Sequence, residues 1–215
     1  MKGLFLYGVN CTNDIWKNIK EGMSTYDITY AAYPHEITEQ AKTPEDITKW
    51  VYETYRDHCF DFIVGHSLGG IIALQLAAIY HMTPGCIIFL DTNLKPANAF
   101  YRNLMTPEHM ELYGTDVLNL MKEERGYYHP KMFEALQEEF DYTPYLKDIK
   151  CPIFGIYGDR DQPDYENRYT DLCLKESDFK DLRIRFIEHA CHMPMVEQPE
   201  RLVEIIKECL SETGR

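Results

Sequence analysis

The chain has 215 residues, 45% of them hydrophobic, with 22 basic against 35 acidic side chains and a formal net charge of −13. That length suits one large domain, or one domain with an insertion, and supplies enough apolar sequence for a substantial core. No basic run or stripe occurs, which argues against nucleic acid as a partner; the acidity serves solubility.

The opening stretch, Met1-Lys2-Gly3-Leu4-Phe5-Leu6-Tyr7-Gly8, is too short and too quickly broken for a signal peptide or a membrane span. Short apolar runs then alternate with helical patterns. Residues 3–7, 28–32, 62–65, 86–90, 153–157 and 182–187 read as strands. Several are continuously apolar, as in a parallel sheet buried on both faces. Between them, residues 13–21 and 199–210 read as helices. Thr43-Pro44-Glu45-Asp46 gives an N-cap, a first-turn proline and early acids before Ile47 and Val51 at helical spacing. The alternation predicts an α/β fold with a mostly parallel sheet flanked by helices.

Residues 94–147 break the rhythm. They hold no strand pattern, but Thr106-Pro107-Glu108 starts a helix to about residue 122 and His129-Pro130 another to about 140. We read 94–147 as a helical cap inserted at the strand ends, with 1–93 and 148–215 forming the two parts of the core. Seven cysteines show no close pairing pattern; Cys86, Cys151 and Cys209 stand beside apolar residues, and reduced thiols in a cytoplasmic protein are the expectation.

Chemistry concentrates at Gly65-His66-Ser67-Leu68-Gly69, where an apolar strand passes directly into a helix-forming segment. This is the sequence form of a nucleophile elbow, in which a sharp turn lifts a serine hydroxyl above the sheet. A side chain at Gly65 or Gly69 would collide with neighbouring backbone, and the following helix N-terminus favours negative charge near Ser67. A serine nucleophile needs a base, and the base needs an orienting acid. After Ser67, the strand at 153–157 ends in Gly158-Asp159-Arg160-Asp161, and that at 182–187 in Glu188-His189-Ala190-Cys191-His192-Met193-Pro194.

These segments together resemble the α/β-hydrolase superfamily over nearly all of the chain except the cap. Gly65-His66-Ser67-Leu68-Gly69-Gly70 is similar to the family's elbow, Gly158-x-x-Asp161 to its acid-bearing turn, and the run from His192 to Glu200 to the segment following its catalytic histidine. Tyr7-Gly8-Val9-Asn10 resembles its oxyanion loop. The resemblance implies Ser67 as nucleophile, His192 as base, Asp161 as orienting acid, and the backbone N–H groups of Val9 and Leu68 as oxyanion hole. Asp159 and His189 are the near competitors: Asp159 is expected to cap its turn, and His189 to end its strand facing solvent.

This sequence departs from the family in having Tyr7 in place of a histidine before the loop glycine and Cys191 in place of a glycine before the catalytic histidine. It begins at what is normally the third strand, so about six strands are expected. His66 and Cys11 are expected to pack. The spacing of His189, Cys191 and His192 is not a standard zinc pattern, and neither metal nor cofactor is implied. The cap's aromatic and methionine side chains are expected to fill its own core and to line an acyl pocket. The expected function is a serine hydrolase of a small carboxylic ester or thioester. The alternatives are a small-molecule binder with slow turnover, or a lyase or perhydrolase on the same fold.

Overall fold

The computed structural model describes residues 1–214. Six strands form one all-parallel sheet: β1 (Lys2–Leu6), β2 (Asp27–Tyr30), β3 (Phe62–His66), β4 (Cys86–Leu90), β5 (Ile153–Gly158) and β6 (Leu182–Ile187), in the order β2-β1-β3-β4-β5-β6. The four central strands are almost wholly buried, which is why they read as unbroken apolar runs; β6, at an edge, alternates instead.

Among the described residues the α-helices are α1 (His35–Thr38), α2 (Pro44–Tyr55), α3 (Leu68–Ala78), α4 (Ala99–Arg102), α5 (Pro107–Met121), α6 (Pro130–Gln137), α7 (Pro144–Asp148), α8 (Arg168–Asp171), α9 (Pro194–Glu197) and α10 (Pro199–Ser211). The start of α2 follows its capping signals: the Asp46 carboxylate accepts the backbone N–H of Thr43 at 2.9 Å and that of Lys42 at 2.8 Å. α3 lies against β3, β4 and β1 and is covered by α2 and α7, so every residue from Leu68 to Ala77 is buried. The stretch at 13–21, expected as one helix, is instead a 3-10 turn at Asn13–Trp16 followed by turns. Its buried Ile15 and Trp16 dock on the core, with the Trp16 ring edge-on to Phe5 at 5.1 Å.

Between β4 and β5 the regular elements among the described residues are helices joined by irregular loops, with no strand. The last of these helices, α7, packs on α3, so the end of the expected cap belongs to the helical layer of the core. No helix among the described residues is long and apolar enough to cross a membrane.

Candidate active site

Ser67 stands between β3 and α3 with φ 53° and ψ −118°, a conformation that L side chains avoid. Three hydrogen bonds hold it there. Its N–H donates to Leu90 C=O at 2.9 Å, and its C=O accepts from Gly70 N–H at 3.0 Å and from the Thr92 hydroxyl at 2.9 Å. The flanking glycines are required by close approach: a Cβ at Gly65 would lie 2.2 Å from Gly69 O, and one at Gly69 would lie 2.2 Å from Leu6 O.

Beside the elbow runs the turn after β1. It is closed by Cys11 N–H donating to Gly8 C=O at 3.3 Å, with Val9 half-buried within it and Asn10 at φ 59°. A Cβ built on Gly8 would lie 3.0 Å from Ser67 Cβ, so this turn abuts Ser67. Tyr7 ties the turn to Tyr33: its hydroxyl accepts Tyr33 N–H at 2.6 Å, and its carbonyl accepts the Tyr33 hydroxyl at 3.3 Å. Burial pushes the Cys11 thiol up to about 12, leaving a protonated, packed side chain. The buried Tyr128, from the segment between β4 and β5, lies near Tyr7 and Cys11 of the same turn. Its phenol is raised by burial and then by the proximity of Tyr7, Cys11 and Glu124.

The carboxylate that meets His192 is not the one expected from the sequence. His192 Nδ1 lies 3.0 Å from Oδ1 of Asp91, not from Asp161. The parallel register explains the pairing: His66 is level with Leu90, so the next residues, Ser67 and Asp91, leave adjacent strands side by side. After β5 the chain turns tightly. Asp159 Oδ1 accepts the N–H groups of Asp161 at 3.0 Å and His189 at 2.9 Å, the capping role expected of it. Arg160 and Asp161 both adopt left-handed backbone, at φ 55° and 59°. This aims Arg160 inward, to Asp91, and leaves the Asp161 side chain 42% exposed. Asp161 instead meets His189 Nδ1 and His109 Nε2, each at 2.7 Å.

Asp91 is completely buried. Burial alone would raise its carboxyl, but the Arg160 guanidinium, with the hydrogen bond and charge of His192, outweighs that and holds it well below the usual carboxylate range. Gly158 N–H adds a bond to Oδ2 at 3.1 Å. Asp91 is therefore an ionised carboxylate set against the imidazole.

The histidine loop is fixed along its backbone. Glu197 accepts the N–H groups of Cys191 at 2.9 Å and Met193 at 3.0 Å; His192 N–H donates to Leu104 C=O at 3.0 Å. Nε2–H of His66 donates to His192 C=O at 2.9 Å, and burial together with the facing His192 lowers His66 to about 3, keeping it neutral. His109 of α5, 3% exposed, lies between Glu197 (Nδ1 to Oε1, 2.6 Å) and Asp161. His109, Cys191 and Glu197 also offer possible metal-ligand atoms within 4.8 Å of one another. Here the His109 nitrogens and the Glu197 oxygens are engaged in the hydrogen bonds just described.

Asp91, Arg160, His109 and Glu197 gather around the candidate site residues without having been singled out from the sequence. For Asp91 a signal existed, since it directly follows an unbroken apolar strand, as Ser67 does. A hollow of about 970 Å³ lined by His81, Met82, Lys150 and Thr213 lies at the N-terminal ends of β4 and β5, away from this chemistry.

No family model and no curated protein matches the sequence. Solved structures do match. An esterase from Thermogutta terrifontis superposes with a TM-score of 0.71 at 16% identity, covering 99% of this chain and 90% of that one. MenH from S. aureus gives 0.69 at 19%, covering 100% and 95%. The enol-lactonase from Burkholderia xenovorans LB400 gives 0.71 at 15%, covering 98% and 91%. With the elbow and the parallel six-stranded sheet, these likenesses show that the chain has the α/β-hydrolase fold.

Proposed function

We propose that this chain is a serine hydrolase cleaving a small carboxylic ester or thioester. The observation that carries the reading is the pairing of His192 with a buried, ionised Asp91 at the strand ends where Ser67 stands on its strained elbow. Asp91 takes the proton-bearing Nδ1 of His192 and leaves Nε2 to accept the Ser67 proton. Ser67 Oγ attacks the carbonyl carbon, and the N–H groups of Val9 and Leu68 receive the oxyanion, aided by the N-terminus of α3. The imidazolium returns its proton to the departing alcohol or thiol. Water, deprotonated by His192, then releases the acid and regenerates Ser67. Residues 94–147 act as the lid over the acyl group, with Tyr128 above the oxyanion turn.

The esterase and the enol-lactonase among the similar structures support ester chemistry as the first to test. The test is hydrolysis of p-nitrophenyl acyl esters from acetyl to decanoyl by wild type and Ser67→Ala. Loss of at least about 10³-fold in kcat is expected for the variant, and the best chain length sizes the acyl pocket. Undiminished turnover by Ser67→Ala sinks the proposal. Tight binding of an ester without turnover or fluorophosphonate labelling of Ser67 favours the binder.

A further inference from the structure

The scheme above gives no role to Arg160, yet its side chain is 3% exposed and fully engaged. Nη2 donates to Asp91 Oδ1 at 2.9 Å, and Nη1 to Asp91 Oδ2 at 3.3 Å and to Gly158 C=O at 2.9 Å. Nε reaches Asn103 C=O at 3.4 Å, and the guanidinium carbon lies 4.7 Å from the centre of the Tyr101 ring and 5.7 Å from that of Phe100. The telling atom is Asp91 Oδ1, which is shared between Arg160 Nη2 and His192 Nδ1. An arginine serving only to neutralise a buried acid has no need of the oxygen that orients the base.

We infer that Arg160 is a positioning residue that acts on His192 through Asp91. Its two-pronged grip fixes the carboxylate in the rotamer that presents Oδ1 to Nδ1. Its positive charge, held on the same carboxylate oxygen as the ring, also opposes the gain of a second positive charge there. The inference rests on the Ser67–His192–Asp91 reading.

The charged and titratable groups around this centre come from several elements. His66 faces it from β3, Asp91 from the end of β4, Tyr157 from β5 and Tyr101 from α4. Cys191 belongs to the histidine loop itself and, like Tyr101, is coupled to Arg160. Cys191 and Tyr101 are raised by burial, Cys191 to about 12, and Tyr157 is raised by burial too; His66 is neutral. Glu197 of α9 lies behind the loop on the Cys191 and Met193 N–H groups, and Asp91 and Arg160 are the charges joined to the His192 ring through Asp91 Oδ1.

The test is the pH profile of kcat/KM for Arg160→Met and Arg160→Lys, alone and combined with Asp91→Asn. Removing a positive charge near the base favours its protonated form. The acid limb of Arg160→Met should move up by about one pH unit, with kcat on the plateau down by about tenfold and KM little changed. Arg160→Lys keeps the charge without the fork, so the limb should stay while kcat falls several-fold. In Asp91→Asn, Arg160→Met should add little, because the path through the carboxylate is already cut. A folded Arg160→Met with the wild-type limb and kcat overturns the inference. If Arg160→Met does not fold, Arg160→Lys decides alone, and wild-type kcat in it overturns the inference. Ser67→Ala and Asp91→Asn test the underlying reading separately: if both abolish turnover while the Arg160 variants behave as wild type, only the inference fails.

Discussion

Asp91→Asn is the sharpest perturbation of this site. Oδ2 faces two fixed donors, Gly158 N–H at 3.1 Å and Arg160 Nη1 at 3.3 Å, and Oδ1 one, Arg160 Nη2 at 2.9 Å, so the new amide oxygen takes the Oδ2 place and its NH2 is set against Nη2. The amide NH2 then falls where Oδ1 was, facing His192 Nδ1. A donor against Nδ1 makes that nitrogen accept and puts the ring proton on Nε2, so the imidazole can no longer take the serine proton. The tautomer error should cost about 10³–10⁴-fold in kcat, the size of the same substitution in a chymotrypsin-like triad. That equals about 4–5.5 kcal/mol of barrier. The variant also leaves Arg160 buried beside a neutral partner, at a cost of about 3–5 kcal/mol out of a typical total of 5–15. Folding must therefore be checked by near-UV circular dichroism at low temperature. The assay is kcat on p-nitrophenyl acetate for Asp91→Asn beside Asp161→Asn, which should lose less than about tenfold. A folded Asp91→Asn with near-wild-type kcat, alongside an Asp161→Asn that loses three orders of magnitude, refutes the reasoning and returns the acid to Asp161.

Three further outcomes follow from the surrounding contacts. His109→Gln weakens the buried link between α5 and Glu197, and should cost about 2 kcal/mol by urea unfolding while speeding proteolytic nicking in residues 94–147. The Asp161 carboxyl is lowered, first by its hydrogen bond from His189, and His189 is raised by the same bond. Stability from Asp161 is present above the unfolded carboxyl pKa and lost as pH falls through the lowered folded value. Stability from His189 is present below the unfolded imidazole pKa and lost as pH rises through the raised folded value. The pair thus acts fully between about pH 4 and 6.5, so His189→Gln should lower the urea midpoint inside that window and leave it unchanged well above it. Gly69→Ala drives a Cβ to 2.2 Å from the Leu6 carbonyl oxygen, and should cost about 1–3 kcal/mol or more and disable Ser67 by shifting the elbow.

The sheet was legible because its inner strands are buried on both faces and therefore uninterrupted in sequence. The elbow was legible because Gly-x-Ser-x-Gly stands as a local pattern between a strand and a helix; Gly65 is dictated by the Gly69 backbone four residues on, although Gly69 itself is dictated by Leu6 on β1. Asp91 was harder because its role depends on strand adjacency: β4 had to be known to lie beside β3 in register before an aspartate after Leu90 could be placed next to Ser67. The Gly-x-x-Asp turn pointed to Asp161, but left-handed backbone at Arg160 and Asp161 exchanges which side chain faces inward, and no spacing rule encodes that. His109 was hidden for a similar reason, since it meets Glu197 and Asp161 only when α5 folds back over the histidine loop. The stretch at 13–21 failed as a helix because docking Ile15 and Trp16 on the core prevailed over local helical preference.

The burial of α3 has a consequence for hydrogen exchange. With Leu68 through Ala77 enclosed by the sheet, α2 and α7, the amides inside this helix cannot reach solvent through a local opening. They should exchange with deuterium only when the whole molecule unfolds, on the slowest timescale the protein has. Half-exposed α5 and α6 should exchange through smaller openings. The helix that begins at Ser67 thus serves as the molecule's internal gauge of global stability, and any ligand that slows its exchange must bind the folded state as a whole.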